Sequence, residues 1–397
     1  MRKNRFRLSE NYLFCILLLL VFAVGFYSFI KKPNKSSNIE NRSLSQFQHM
    51  TWTAFLDGSF QDNFENALSD QFPKSEVIRA NYGSLVKNMP DFGIGNLVCQ
   101  DHYLGVSENF TVFDCEDYLI RKPGAPSNGQ LSILNSNIKK FNRVNDLIET
   151  YYYIINTPET YDFENAERIT DYAEILSEKM TGNYKIASLK YDGYEQYKQY
   201  FYKNDHHWNH NGSYQGFLDI AKMLGIKNPA KPVGTFTNHE SYFGGSSAKT
   251  VLKFDGWDEF IVYKFDIPEH TTKVERIERA YNHIDDFIEH NYEYTDLYAF
   301  YANVYGGSRG EVYFDFHQPE KPNLLMVVDS FSNPIKELIA QYFNKTYAVD
   351  LRHYQKNIGE PFAFEKYINN NKIDKVLFIA SSRHFLLEGA TTRGLEL

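Results

Sequence analysis

Two short segments carry side chains that could do chemistry together. Asp205-His206-His207-Trp208-Asn209-His210 sets a carboxylate and an imidazole two residues apart. In an extended segment side chains alternate with period two, so Asp205 and His207 would point the same way. A carboxylate beside an imidazole fixes the ring's tautomer and stabilises its protonated form, which suits His207 as the base that activates a hydroxyl. The candidate hydroxyl is Ser330, in Leu324-Leu325-Met326-Val327-Val328-Asp329-Ser330-Phe331-Ser332-Asn333-Pro334. That stretch reads as a buried strand, a polar turn and a helix carried on by Ile335, Leu338, Ile339 and Tyr342. Pro334 suits the first helical turn and Ser332 or Asn333 can cap it, which leaves Ser330 spare at a strand's carboxyl end. Open α/β sheets place their ligands there, within reach of backbone N–H groups that stabilise an oxyanion. The chemistry indicated is acyl transfer through a covalent serine intermediate.

Other readings of the same residues stand beside this one. Ser330 alone could be an ordinary turn residue. His206 and His210 are four apart and, with Asp205, could ligate a metal if the stretch were helical. Asn211-Gly212 disfavours a long helix there, and no metal is assigned. Without Ser330, a histidine cluster that satisfies loop hydrogen bonds would be the best account of the segment.

The elements that must position these groups alternate from about residue 150 onward. Strands are predicted over 151–155, 185–189, 324–328, 347–351 and 376–380, with helices over 164–180 and 362–368, a pattern that argues for an open α/β sheet. Residues 233–319 are richer in aromatic and β-branched residues and read as a strand-rich insertion. Residues 56–88 have helical spacing, broken at Asp70-Gln71-Phe72-Pro73, which reads as a capped helix start.

Residues 12–30 form an uncharged apolar run about long enough to cross a bilayer, with Arg2, Lys3, Arg5 and Arg7 ahead of it. We expect residues 1–11 as a cytoplasmic tail, 12–30 as a transmembrane anchor, 31–45 as a polar linker and 46–397 as one extracytoplasmic domain. A cleaved signal peptide is the competing view, disfavoured by the length of the run and by the lack of a small-x-small pattern after Ile30. Of Cys15, Cys99 and Cys115, only the last two could bridge outside a membrane, and a pair of free thiols is equally consistent. A net charge of -8 with dispersed basic residues argues against nucleic acid as a partner.

With both segments in view, the sequence resembles the DHHW family, bacterial surface proteins related to the alginate O-acetylation proteins of the SGNH-hydrolase-like class. The Asp-His-His-Trp signature is unbroken at Asp205 to Trp208, and an Asp-Ser-aromatic turn is matched by Asp329-Ser330-Phe331. An Asp-x-Arg-x-Tyr segment is matched by Asp350, Arg352 and Tyr354, and Asn41-Arg42 with Asp70 to Pro73 extends the likeness toward the N-terminus. The resemblance implies an SGNH-like three-layer α/β fold, circularly permuted because the order here is Asp, His, Ser. It implies a catalytic set of Ser330, His207 and Asp205, with Trp208, Arg352 and Tyr354 at the substrate. Arg352 paired with Asp350 as structure is an equal alternative. The implied activity is O-acetyl transfer to a cell-surface or secreted polysaccharide, with no metal or organic cofactor and with a membrane acyltransferase partner supplying acetyl groups. A carbohydrate esterase would use the same residues. A non-catalytic glycan-binding or assembly protein is motivated by the 32 Phe, 30 Tyr and 3 Trp.

Overall fold

In the computed structural model the described residues are, short gaps apart, 12–78, 103–242, 258–279, 301 and 305–395. The chain folds as two compact units, one of Met1–Asp101 with Ser247–Lys253 and one of His102–Ser246 with Phe254–Leu397.

In the first unit residues 12–19, 22–23, 26–28 and 30 are helical, and those between them lie outside the described residues. Among the described residues no helix is long and apolar enough to cross a membrane. Two further helices span Trp52–Leu56 and Ser59–Gln71. Asp70-Gln71-Phe72 therefore closes a helix instead of starting one, with Phe72 at the C-cap. The motif also has a tethering job, which explains why two polar side chains there are buried. Gln71 Oε1 accepts from Asn34 N–H at 2.9 Å, its Nε2 donates to the carbonyls of Asn34 and Ser45, and Asp70 Oδ2 accepts from Ser45 N–H at 2.8 Å.

The second unit holds the sheet. Its strands are β1 (Glu149–Ile155), β2 (Tyr184–Leu189), β3 (Gly234–Tyr242), β4 (Asp258–Lys264), β5 (Thr271–Val274), β6 (Ile277–Glu278), β7 (Glu311–Asp315), β8 (Leu324–Val328), β9 (Lys345–Val349) and β10 (Lys375–Ser381). Its helices are α1 (Asn128–Leu147), α2 (Tyr172–Lys179), α3 (Tyr194–Tyr200), α4 (His210–Leu224), α5 (Lys336–Ala340), α6 (Tyr354–Ile358), α7 (Phe364–Asn371) and α8 (Ser382–Phe385). A three-stranded meander over Tyr103–Ser107, Phe110–Cys115 and Tyr118–Arg121 precedes α1. Cys99, on which the choice between a Cys99–Cys115 bridge and two free thiols depends, lies outside the described residues.

Eight strands form one sheet in the order β6-β5-β7-β9-β8-β10-β1-β2. The run from β9 to β2 is parallel, and β7, β5 and β6 extend it antiparallel. Counted from β8, as β8, β9, β10, β1 and β2, the parallel strands lie in the order 2-1-3-4-5. That is the flavodoxin-like doubly wound order, entered by this chain at its fourth strand. The strand-rich segment expected over 233–319 serves two places: β5 to β7 lengthen the sheet, while β3 and β4 pair as a separate hairpin.

Strands covered on both faces read as continuous apolar runs, and β8 is buried at every residue. Leu324, Met326 and Val328 face one core with Phe217, Ile220 and Leu338, whereas Leu325 and Val327 face the other with Leu134, Phe141 and Leu176. In β1 the same alternation buries three consecutive tyrosines, and their hydroxyls require partners. Tyr152 finds Asn145 Oδ1 at 2.9 Å, Tyr153 finds Asp219 Oδ2 at 2.8 Å and Tyr151 finds Glu149 Oε1 at 2.5 Å. Much of the aromatic content is thus core.

Two predicted elements shift. The helix read over 164–180 is the shorter α2, because Asp171 accepts from the N–H groups of Ala173 and Glu174 and starts the helix there. Neither Ser332 nor Asn333 caps α5; Asp329 caps a 3-10 turn over Ser330–Ser332 instead, accepting from Phe331 N–H at 3.0 Å.

Candidate active site

The residues Asp205 to Trp208 lie in a loop pinned at its base. Phe201 and Trp208 form an isolated antiparallel bridge, and Asn209 N–H donates to Tyr200 O at 2.8 Å. Between those points the backbone bends, so the alternation of an extended strand is not what aligns Asp205 with His207. The alignment comes from an Asx-type turn, in which Asp205 Oδ1 accepts the His207 backbone N–H at 2.9 Å. The same oxygen lies 2.8 Å from His207 Nδ1 and 3.2 Å from His206 Nδ1. Burial opposes ionisation of Asp205, but His207 and His206 outweigh it and hold the carboxyl well below its usual range.

Ser330 stands directly after β8, at the crevice between β8 and β10 where the strand order reverses. Its Oγ lies 2.8 Å from His207 Nε2. The three side chains therefore form a chain of hydrogen bonds from carboxylate to imidazole to hydroxyl. An Nδ1–H donated to Asp205 leaves the Nε2 lone pair to accept the serine proton. Two aromatic rings pack against the imidazole: Tyr301 stacks on it with centroids 3.9 Å apart and planes 3° from parallel, and Phe331 lies tilted at 4.8 Å.

Trp208, expected at the substrate, is fully buried and acts as a strut. Its Nε1 donates to Phe331 O at 2.9 Å, which ties the histidine loop to the turn that carries Ser330. Gly212 and Gly216 of α4 leave room for it; a Cβ on Gly216 would come 2.6 Å from the indole ring. Here packing requires Gly212, which the sequence reading took, with Asn211, as unfavourable to a long helix. The helix begins at His210, after the loop, so His206 and His210 do not share a helical face. Among the described residues the converging carboxylate and imidazole atoms are those of Asp205, His206 and His207, within 4.8 Å of one another, and His210 is not among them. Asp205 Oδ1 already accepts the His207 backbone N–H and faces His207 Nδ1.

Arg352 grips Asp350 through Nε at 2.9 Å and Nη2 at 2.5 Å, and its Nη1 lies 2.8 Å from His384 Nε2. Because guanidinium only donates, His384 carries its proton on Nδ1, which faces Asp329 Oδ2 at 2.6 Å and Ser381 Oγ at 2.7 Å. Asp329 Oδ2 also accepts Ser381 N–H at 2.8 Å. Burial works against the Asp329 charge, yet His384 and Arg352 hold this carboxyl far below its ordinary range. Arg352 thus reaches the residue before Ser330 through His384 and Asp329. Tyr354 is buried elsewhere, in a groove with Tyr313, Tyr347 and Tyr367, its hydroxyl 3.3 Å from Arg276 Nη2.

Sequence reasoning missed Tyr301 and His384. Tyr301 comes from a stretch without a legible period, and no local signal marks it. His384 follows β10 just as Ser330 follows β8, so a search of the residues after every predicted strand would have found it.

No family model and no curated protein matches the chain. Solved structures do. Bacillus cereus PatB1 with a sulfonyl adduct is similar at a TM-score of 0.51 and 20% identity, over 70% of this chain and 97% of its own. A DHHW family protein from Eubacterium siraeum is similar at a TM-score of 0.50 and 19% identity, over 74% and 96% of the two chains. The O-acetyltransferase domain of Pseudomonas putida AlgJ is matched more loosely, at a TM-score of 0.32 and 13% identity over 68% and 90%. The expected likeness to the DHHW group is found in solved structures, and at these identities what the chain shares with PatB1 and the DHHW protein is the fold.

Proposed function

We propose that this protein is a serine O-acetyltransferase of the SGNH-like type, acting outside the cytoplasm on a cell-surface or secreted polysaccharide. One observation carries the reading: Ser330 Oγ, His207 Nε2, His207 Nδ1 and Asp205 Oδ1 are joined by two hydrogen bonds of 2.8 Å at the carboxyl end of a central strand. The likeness to PatB1 supports it, since that protein carries a sulfonyl adduct and sulfonyl groups are taken up by activated nucleophiles. In the first step Ser330 Oγ attacks the acetyl carbonyl while its proton passes to His207 Nε2, and Asp205 stabilises the imidazolium. The imidazolium returns that proton to the departing oxygen, leaving acetyl-Ser330. A sugar hydroxyl then gives its proton to Nε2 and attacks the acetyl carbonyl; as the bond to Ser330 Oγ breaks, the imidazolium passes that proton to Oγ, so the acetyl group leaves on the sugar and the serine hydroxyl is restored.

Residues 12–30 are assigned as a single-pass anchor in a bacterial cell membrane, which would keep the enzyme beside a membrane acyltransferase that supplies acetyl groups. The assignment is supported by Leu13, Phe14, Leu17, Leu19, Phe22 and Phe26, each more than half exposed. The test incubates the protein without residues 1–30 with an aryl acetate, with and without an oligosaccharide acceptor. We expect turnover that falls at least about 10³-fold in both Ser330→Ala and His207→Ala, with acetyl appearing on the sugar. Equal rates in all three proteins would sink the reading. Acetate released without acetylated sugar would make the protein an esterase.

A further inference from the structure

On one face of the sheet a cross-strand row of Leu325, Tyr347, Tyr313 and Lys273 runs from β8 through β9 and β7 to β5. Leu325 is sealed in the core, whereas Tyr347, Tyr313 and Lys273 are only part-buried, so the cover ends toward the antiparallel edge. There the row lines a cleft of about 450 Å³, to which α7 contributes Lys366, Tyr367 and Asn370. That volume lies in the range of small-ligand sites.

The lining has the chemistry of a sugar site. A pyranose presents apolar C–H faces and a rim of hydroxyls, which call for flat aromatic rings beside polar groups. Tyr347 stands between two such rings, with Tyr313 at 4.9 Å and Tyr367 edge-on at 5.8 Å. Among the described residues the Tyr347 hydroxyl makes no hydrogen bond, and the Tyr354 hydroxyl accepts from Arg276 but donates to no acceptor.

Charge narrows the class. Arg276 is engaged by Glu360 and by Glu311, which lies 3.9 Å away and accepts the Tyr367 hydroxyl at 2.5 Å. Lys273 from the sheet and Lys366 from the helix have no carboxylate partner among the described residues. Lys273 Nζ lies 5.9 Å from the Tyr313 ring, within reach of a sugar stacked there. Two ammonium groups left unneutralised in a chain of net charge -8 favour an anionic occupant.

The turn that carries Arg276 is strained. Glu275 and Arg276, the two residues between β5 and β6, have φ of 52° and 69°, where such hairpins ordinarily use Asn or Gly. Glu275 Oε1 holds the turn by accepting from Asn357 Nδ2 at 2.7 Å and Gly310 N–H at 3.3 Å. Backbone kept in a disfavoured region tends to mark a functional site. The cleft also reaches the end of the sheet at which Ser330 stands, because Glu311 pairs with Val349 at the carboxyl end of β9. There β7 is two strands, about 10 Å, from β8.

We infer that this cleft binds an acidic saccharide segment, stacked on Tyr313 and Tyr347 and bridged by Lys273 and Lys366. A polymer seated there would be held by a stretch other than the one that receives acetyl at Ser330. That second role rests on the acyl-transfer reading above; the binding does not.

The experiment titrates the full-length protein, in detergent micelles, with hexagalacturonate by calorimetry, and repeats the titration with hexaglutamate, a peptide with as many carboxylate side chains. We expect hexagalacturonate to bind, at least about tenfold more weakly in the double variant Lys273→Glu with Lys366→Glu and in Tyr313→Ala, and nearly as wild type in Tyr313→Phe. Lys273 is part-buried and Lys366 exposed, so the lysine variant decides the matter even if Tyr313→Ala fails to fold. No binding of hexagalacturonate, or an unchanged affinity in the lysine variant, overturns the inference. Equal affinity for hexaglutamate also overturns it, leaving a charged surface suited to acidic peptides. Because turnover is not read, each of these failures leaves the acyl-transfer reading standing, and a protein inactive on aryl acetate can still show the binding.

Discussion

Lys336 is a buried charge that the fold holds at a cost in stability. It is buried, and burial together with the nearby Arg279 and Arg309 pushes its ammonium down to about 8, against the pull of Glu337 and Asp350. A lysine whose folded value lies below its unfolded one makes the folded state less stable wherever it is charged. The cost is fully present below about pH 8 and fades as pH rises toward the unfolded value of about 10.4. At about 1.4 kcal/mol per unit, it amounts to roughly 3 kcal/mol near pH 7. Lys336→Met should therefore be the more stable protein by urea unfolding at pH 7, and its advantage should shrink at pH 9.5. Asp329 is the opposite case: an expensive buried charge kept ionised by His384 and Arg352, which locks the residue before Ser330 to the end of β10.

At the scale of elements, the site depends on how closely α4 approaches the histidine loop. Gly216 and Gly212 let Trp208 lie against the helix, and the indole N–H then reaches Phe331 O in the turn that carries Ser330. One contact thus sets the spacing between loop and turn. Gly216→Ala would place a methyl 2.6 Å and 2.7 Å from indole carbons. It is expected to cost about 1–3 kcal/mol, read as a lower melting temperature, and to reduce turnover because the displaced indole carries the neighbouring His207 with it. The hairpin of β3 and β4 has a comparable role. Phe260 of β4 stacks on Tyr202 at 5.3 Å and belongs to a small apolar cluster with Val262, Tyr301 and Tyr305, which backs the ring stacked on His207.

For the second unit as a whole, the parallel sheet is the doubly wound one entered at its fourth strand, which explains the order of the site residues along the chain. The loop of Asp205 and His207 follows β2, and Ser330 follows β8 more than a hundred residues later, yet both reach one end of the sheet. Its acid response should have two parts. Burial pushes the His210 imidazole down to about 4, below its unfolded value, so the fold favours the neutral ring. Stability from this group is complete above about pH 6.5 and is lost as pH falls toward about 4, because the unfolded chain takes up the proton first. Asp205 and Asp329, held low, lose their contribution only below about pH 4. His210→Gln should therefore flatten urea-unfolding stability between pH 6.5 and 4 and leave the steeper loss below pH 4 intact. An unchanged slope across the upper window would contradict the assignment.

The sequence by itself determined the strands and the chemistry-bearing pairs, because both are written in local order. Leu324 to Val328 is apolar at every position, as a strand covered on both faces must be, and Asp205 with His207 needs only two residues of spacing. Tertiary structure decided what those local signals cannot encode. Trp208 became a strut and Tyr354 went to a separate groove, since which side of an aromatic ring meets solvent depends on neighbours far along the chain. Asn333 looked like a helix cap until the turn gave that task to Asp329, which left the amide to Lys336. Tyr301 and His384 act on the site through contacts across some ninety and fifty residues, made by folding alone.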